Sequence, residues 1–189
     1  MSDMLSFLSL KTIYLIFHLV GLAIGAGGAF VSDMLYVAST KDKKITEDEL
    51  RLMSIAGAMV WIGLLVLTIS GLLLMSLDFA KYAESTKFIS KMVIVLIIAI
   101  NGAIIHHVYI PHLRGRIGSH LHKDPQFKKM SFYLYVSGAL SFVSWVSTMV
   151  LGAIKKIPYN VLTILSVYIG FVLVAVAVSL LVRKIFLKN

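Results

Sequence analysis

The sequence contains no cysteine. Disulfides, thiolate metal sites, iron–sulfur clusters and a cysteine nucleophile are therefore excluded, and thiols say nothing about redox compartment. Charge is also scarce: 14% of residues are Asp, Glu, Lys or Arg, against about 25% in soluble domains. No G-x-x-x-x-G-K segment occurs, so the loop that cradles nucleotide phosphates is missing. A Ser-His-Asp triad lacks its parts, because the serines of the fourth apolar run have no His and orienting acid at their depth. What is abundant is apolar: 59% of the 189 residues, against roughly 45–50% in soluble domains. That balance excludes a soluble enzyme domain, a disordered chain and a fibrous protein.

Five apolar runs are long enough to cross a bilayer, which takes ~20 helical residues. They lie at about 12–37, 54–77, 89–111, 131–154 and 158–182. Long runs without ~10-residue alternation predict helices rather than barrel strands, hence an all-α, polytopic membrane bundle in a single domain. The first run exceeds the apolar core of a signal peptide, and no A-x-A site closes it.

Lys and Arg set the expected topology. The N-terminus, second loop and fourth loop carry six of the eighteen; the first loop, third loop and C-terminal tail carry twelve. The positive-inside rule then places the N-terminus outside and the C-terminus in the cytoplasm, with the cell (inner) membrane as the expected location. This asymmetry accounts for the +9 net charge. The bases are spread over short loops and offer a nucleic acid no continuous surface, whereas anionic lipid is a natural partner for that face.

Local signals mark helix starts. Thr46 with Glu49 forms a capping-box pattern, so the second helix should begin near Ile45. Asp124-Pro125 reads as an N-cap and first helical position, and Pro158 as the opening of the fifth helix. The turn between the last two spans is short, so they should be antiparallel neighbours.

Because lipid tails are as apolar as Leu, small and polar residues mark where helices meet. The first run carries His18, Gly21, Gly25, Gly28 and Ser32 on one face, a furrow open to another helix or to a flat cofactor. The fourth carries Ser137, Ser141, Ser144 and Thr148; the fifth Asn160, Thr163, Ser166 and Gly170; the second Gly57, Thr68 and Gly71. Such faces can equally be subunit contacts between copies of the chain.

Ionisable groups inside a bilayer are costly and mark candidate sites. They are His18, Asp33, Lys91, His106 and His107. At ~1.5 Å per residue, His18 lies ~9 Å and Lys91 ~3 Å below the outer boundary, while His106 lies ~26 Å below it. His18 and Lys91 could therefore meet, whereas His18 and His106, ~17 Å apart along the normal, could not ligate one haem from opposite sides. Met75, Met92 and Met149 are sulfur donors at the outer level. Asp33 should pair with Lys43, Lys44 or Arg51 or reach headgroup water. His106 shares a face with Gly102, and adjacent His107 must point elsewhere. His120, His122 and Asp124 have metal-type spacing, but Lys and Arg surround them.

The stretch from Lys11 to His18 (KTIYLIFH) and the glycine-rich run after it resemble the first helix of the HemJ-type protoporphyrinogen oxidase family of bacteria. The stretch Phe88 to Val95 (FISKMVIV), running on to Asn101-Gly102 and His106-His107, is similar to that family's lysine-bearing third helix. Copper-resistance-D-like membrane proteins share the plan of a His on the first helix. The resemblance covers about helices one to three, and this chain has five expected spans where the HemJ-like proteins have four. It implies b-type haem, with His18 as axial ligand and Lys91 as the catalytic or carboxylate-pairing group.

The glycine face adds a reason of its own, since Gly21, Gly25 and Gly28 leave room for a macrocycle beside His18. Three readings follow. One is a haem-b redox protein acting on a porphyrin or quinone-like substrate. The second is a transporter or channel for a metal ion, held by His18 or His106, or for a proton, motivated by His18, Asp33, the hydroxyl stripe of the fourth run and the inner His cluster. The third is a membrane scaffold subunit without a cofactor.

Overall fold

The structure, a computed structural model, describes residues 9–41, 45–117 and 125–188. It is all-helical, and five helical stretches are long and apolar enough to cross a membrane. The chain is thus a multi-pass membrane protein built as a helical bundle. The elements are α1 (Leu10–Lys41), α2 (Glu47–Ser76), a short α3 (Phe79–Ala83), α4 (Thr86–Ile104), a π-helical turn (Ile105–Tyr109), α5 (Ile110–Arg114), α6 (Pro125–Ala153) and α7 (Val161–Lys188). The third span is the continuous rod from α4 through the π turn to α5.

The start of α2 is a capping box. The Thr46 hydroxyl accepts from Glu49 N at 3.2 Å, and Thr46 N donates back to Glu49 Oε2 at 2.8 Å. Helix α6 begins at Pro125, as expected; Asp124, His120 and His122 lie outside the described residues. The fifth helix starts later than Pro158. Asn160 Oδ1 accepts from Thr163 N at 2.8 Å, which satisfies a free N-terminal donor and fixes the start at Val161. Pro158 sits in the loop before it.

The π turn has a local cause. Pro111 has no N–H to give the His107 carbonyl, and its ring crowds that carbonyl. The helix widens just upstream, with Ile110 N bonding Ile105 O, five residues back. His106 and His107 ride on this widened turn.

Packing follows two hairpins. Helix α1 lies along α2, α6 lies along α7, and α4 joins them by packing on α6. Helix α6 is central: 56% of its most apolar stretch is buried, against 11% for α7. The α6 stripe explains why, since Ser137, Ser141, Ser144 and Thr148 are all buried. Ser144 bonds Tyr168 Oη of α7 at 2.8 Å. Ser137 and Asn101 bond twice: Ser137 Oγ donates to Asn101 Oδ1 at 2.6 Å, and Asn101 Nδ2 donates to Ser137 O at 3.1 Å. The expected α7 stripe is not a packing face. Ser166 and Gly170 are exposed, and α7 packs through Ile164 and Tyr168 instead.

Two apolar clusters result. One gathers Tyr36, Ile45, Leu50, Met53, Ile110, Leu113, Phe127 and Tyr135 at the base-rich end. The other gathers Ala26, Ala29, Leu64, Ile94, Ile98, Trp145 and Tyr168. The candidate site lies at their seam.

Candidate functional site

Helix α1 presents two faces to the bundle. Gly21, Gly25 and Gly28 meet α2. A Cβ on Gly28 would stand 2.6 Å from Ala56 O, and one on Gly21 2.9 Å from Val66 Cγ1 and 3.0 Å from Leu67 N. Gly63 of α2 lies directly on the Gly25 backbone. The furrow therefore holds a helix backbone, and a haem plane could enter it only by displacing α2. These residues do not fit a haem in the furrow.

His18 sits at the N-terminal end of α1 in this contact. Its Nδ1 is 3.0 Å from Ser70 Oγ. Ser70 already donates to Val66 O at 2.6 Å, so the imidazole is the donor and the Nδ1–H tautomer follows. The lone pair is then on Nε2. The ring lies over Gly71, whose Cβ would stand 3.6 Å from His18 Cε1. His18 thus faces α2 rather than the acyl chains.

Lys91 is half-buried at the far end of α6. Its Nζ lies 3.9 Å from the position of a Gly152 Cβ, and Lys87 Nζ donates to Ile154 O at 2.6 Å. Both lysines stand where a helix leaves carbonyls unbonded and favours cations. That gives Lys91 a structural reason to be there.

The second face of α1 carries Ala26, Ala29, Asp33, Tyr36 and Thr40, at spacings of 3, 4, 3 and 4. It borders a cavity that offers water about 40 Å³. Ser32 and Asp33 of α1, Gly57 and Trp61 of α2, Asn101 and Gly102 of α4, His106 of the π turn, and Ser141 and Trp145 of α6 line it. A water needs ~10–15 Å³ on this scale, so roughly three fit. Ligand pockets run to ~300–1,000 Å³. The cavity suits water or a small ion, and a porphyrin exceeds it severalfold.

Asp33 departs from the expected ion pair with a loop base. Its carboxylate lies against α6, with Oδ1 3.3 Å from the position of a Gly138 Cβ. Oδ2 is buried without a hydrogen-bond partner, and Asp33 forms no ion pair among the described residues. Lys43 and Lys44 lie outside those residues, and Arg51 is exposed. Trp145, 1% exposed, closes another side of the cavity. Its ring tip would be 2.6 Å from a Gly25 Cβ, and its Nε1–H is also buried without a partner.

His106 lines the cavity, with Nδ1 3.9 Å from the position of a Gly57 Cβ, while His107 is exposed beside it at a ring separation of 5.1 Å. The expected division of the pair is met. His18 and His106 belong to different sites, and no three His, Asp or Glu side chains among the described residues converge as a metal-ligand group. Asp33, a candidate in the sequence, was expected at an ion pair or in headgroup water; the structure buries it at this cavity instead. The signal for this burial was its place on the Ala26–Ala29–Asp33–Tyr36–Thr40 stripe. Compared with known proteins, the chain matches no family model, no curated protein and no solved structure.

Proposed function

We propose that this membrane bundle takes up and passes on a proton or a small cation at the cavity around Asp33. The carrying observation is the Asp33 Oδ2 atom, buried inside a spanning bundle, unpartnered, and beside room for water. Acids inside a spanning helix are costly and mark ion and proton pathways. The polar lining supports the same reading, because Ser32, Ser141, Asn101 and His106 come from four different elements to one place. The orientation that goes with it is the one set by the bases: N-terminus outside, base-rich loops in the cytoplasm, in the cell membrane. The test is reconstitution into vesicles with a pH dye or a cation dye inside. Flux several-fold above empty vesicles is expected, and flux equal to empty vesicles for every ion defeats the proposal.

One observation favours a second reading, a haem-b protein ligated by His18. An axial imidazole is held by a hydrogen bond at its other nitrogen, and the Ser70 bond to Nδ1 leaves Nε2 free to ligate in this way. Such a group would lie outside the glycine furrow, and Lys91 would be the nearby cation for a propionate. Protein purified after haem supplementation should then show a Soret band that His18→Ala removes. A colourless wild-type protein ends this reading and leaves the transport proposal standing.

A further inference from the structure

The cavity holds one unpaired acceptor, Asp33 Oδ2, and one unpaired donor, Trp145 Nε1–H. Water answers both kinds of group, since cavity waters can accept from the indole and donate to the carboxylate. A metal ion answers only one. The indole N–H would point its positive end at the ion. The Asn101 amide is already engaged at both ends, its oxygen by the Ser137 hydroxyl and its nitrogen by the Ser137 carbonyl. Asp33, Ser32 and Ser141 are few oxygens for Ca²⁺, which takes ~6–8, and Mg²⁺ would have to draw about half of its octahedral shell from cavity water.

Resting on the transport reading above, we propose that the species handled here is the proton, bound by Asp33 and relayed through cavity water to His106. The proton adds to Oδ2 as an O–H bond and leaves to the adjoining water. That water gives a proton to a ring nitrogen of His106, and the water's lone pair is restored. No electron is transferred, and no other reactant is needed. From His106 the path reaches the exposed His107, whose ring stands perpendicular to it at 5.1 Å. The π turn upstream of Pro111 carries His106 at the cavity wall.

The titratable groups facing Asp33 are few. His106 faces it from the π turn. Tyr36 lies one turn along α1 and Tyr135 opposite it on α6, their rings 5.6 Å apart. The cavity residues of α2 and α4 carry none.

The experiment uses the full-length protein in potassium-loaded vesicles with valinomycin and an internal pH dye. Proton flux in the wild type is expected to be the same whether the bath holds sodium, magnesium or choline. A positioned proton-transfer group is worth ~10²-fold or more in rate, so Asp33→Asn should lower the flux by that order, while Asp33→Glu retains most of it. His106→Gln should slow the flux and recover with added imidazole. Cation flux without proton flux, or proton flux that requires sodium or magnesium, overturns the proton assignment and leaves transport intact. Undiminished flux in a folded Asp33→Asn protein overturns the assignment of the carrier. No flux of any ion in the wild type overturns both this inference and the reading beneath it.

Discussion

Replacing Gly63 with alanine is expected to destabilise the α1–α2 pair by at least ~1–3 kcal/mol, the usual cost of overpacking. The figure is a floor, because the new methyl meets backbone. It would overlap the Gly25 backbone and stand 2.7 Å from Gly21 O. A side chain can rotate away from such a clash, but a helix backbone has to move as a whole. Moving it would open the neighbouring contacts of Gly21 and Gly28, which lie on the same face. Helices in lipid gain nothing from leaving water, so close packing is what holds this pair together. Gly27→Ala is the control, since its methyl would meet nothing within 4 Å. It should be neutral, or stabilising by the ~0.5–1 kcal/mol that alanine gains over glycine in a helix. Thermal unfolding in detergent compares the two. Equal melting temperatures would show that the Gly63 contact is not what joins α1 to α2.

Trp145→Ala carries the second large effect. Removing a buried Trp from a core costs ~3–5 kcal/mol. In lipid the share due to transfer from water falls away, so the lower end of that range is expected. Trp145 packs on Gly25 and closes one side of the cavity, so its loss merges the cavity with the void left behind. Trp145→Phe keeps much of the packing and removes only the Nε1–H, which has no partner in the protein. The two variants therefore separate the roles. The Ala variant should unfold well below the Phe variant, although both lack the Nε1–H. If the two melt together, the Trp145 ring contributes little to packing.

Much of the fold could be read locally. The capping box of Thr46 and Glu49, the start of α6 at Pro125 and the inward face of Ser137, Ser141, Ser144 and Thr148 depend on near neighbours in sequence. The pattern of residues states such features directly. The partner of a face is different. The glycine spacing shows that something approaches α1 closely, but the same spacing would serve a helix or a macrocycle. Only the position of Gly63, more than thirty residues on, decides between them.

Asp33 shows a second limit. With the first span ended at 37, it reads as a headgroup residue. In the structure α1 continues to Lys41, about two turns beyond Asp33, which puts the carboxylate inside the bundle. A boundary shift of one turn was enough to change its environment from water to a cavity between helices. The π turn was hidden for another reason. Pro111 stood at the edge of the expected third span, where a proline is unremarkable, yet the helix passes through it to Arg114.

The pairing of α1 with α2 has a consequence for how the chain assembles as it is made. These two rods are neighbours in sequence and share most of their contact with each other, so they can zip up while the rest is still being synthesised. The wall that completes the Asp33 chamber is α6, which arrives nearly fifty residues after the end of α2. A nascent chain therefore passes through a stage with a finished hairpin and no chamber, its acid still open to whatever surrounds it. Closure waits on the fourth crossing.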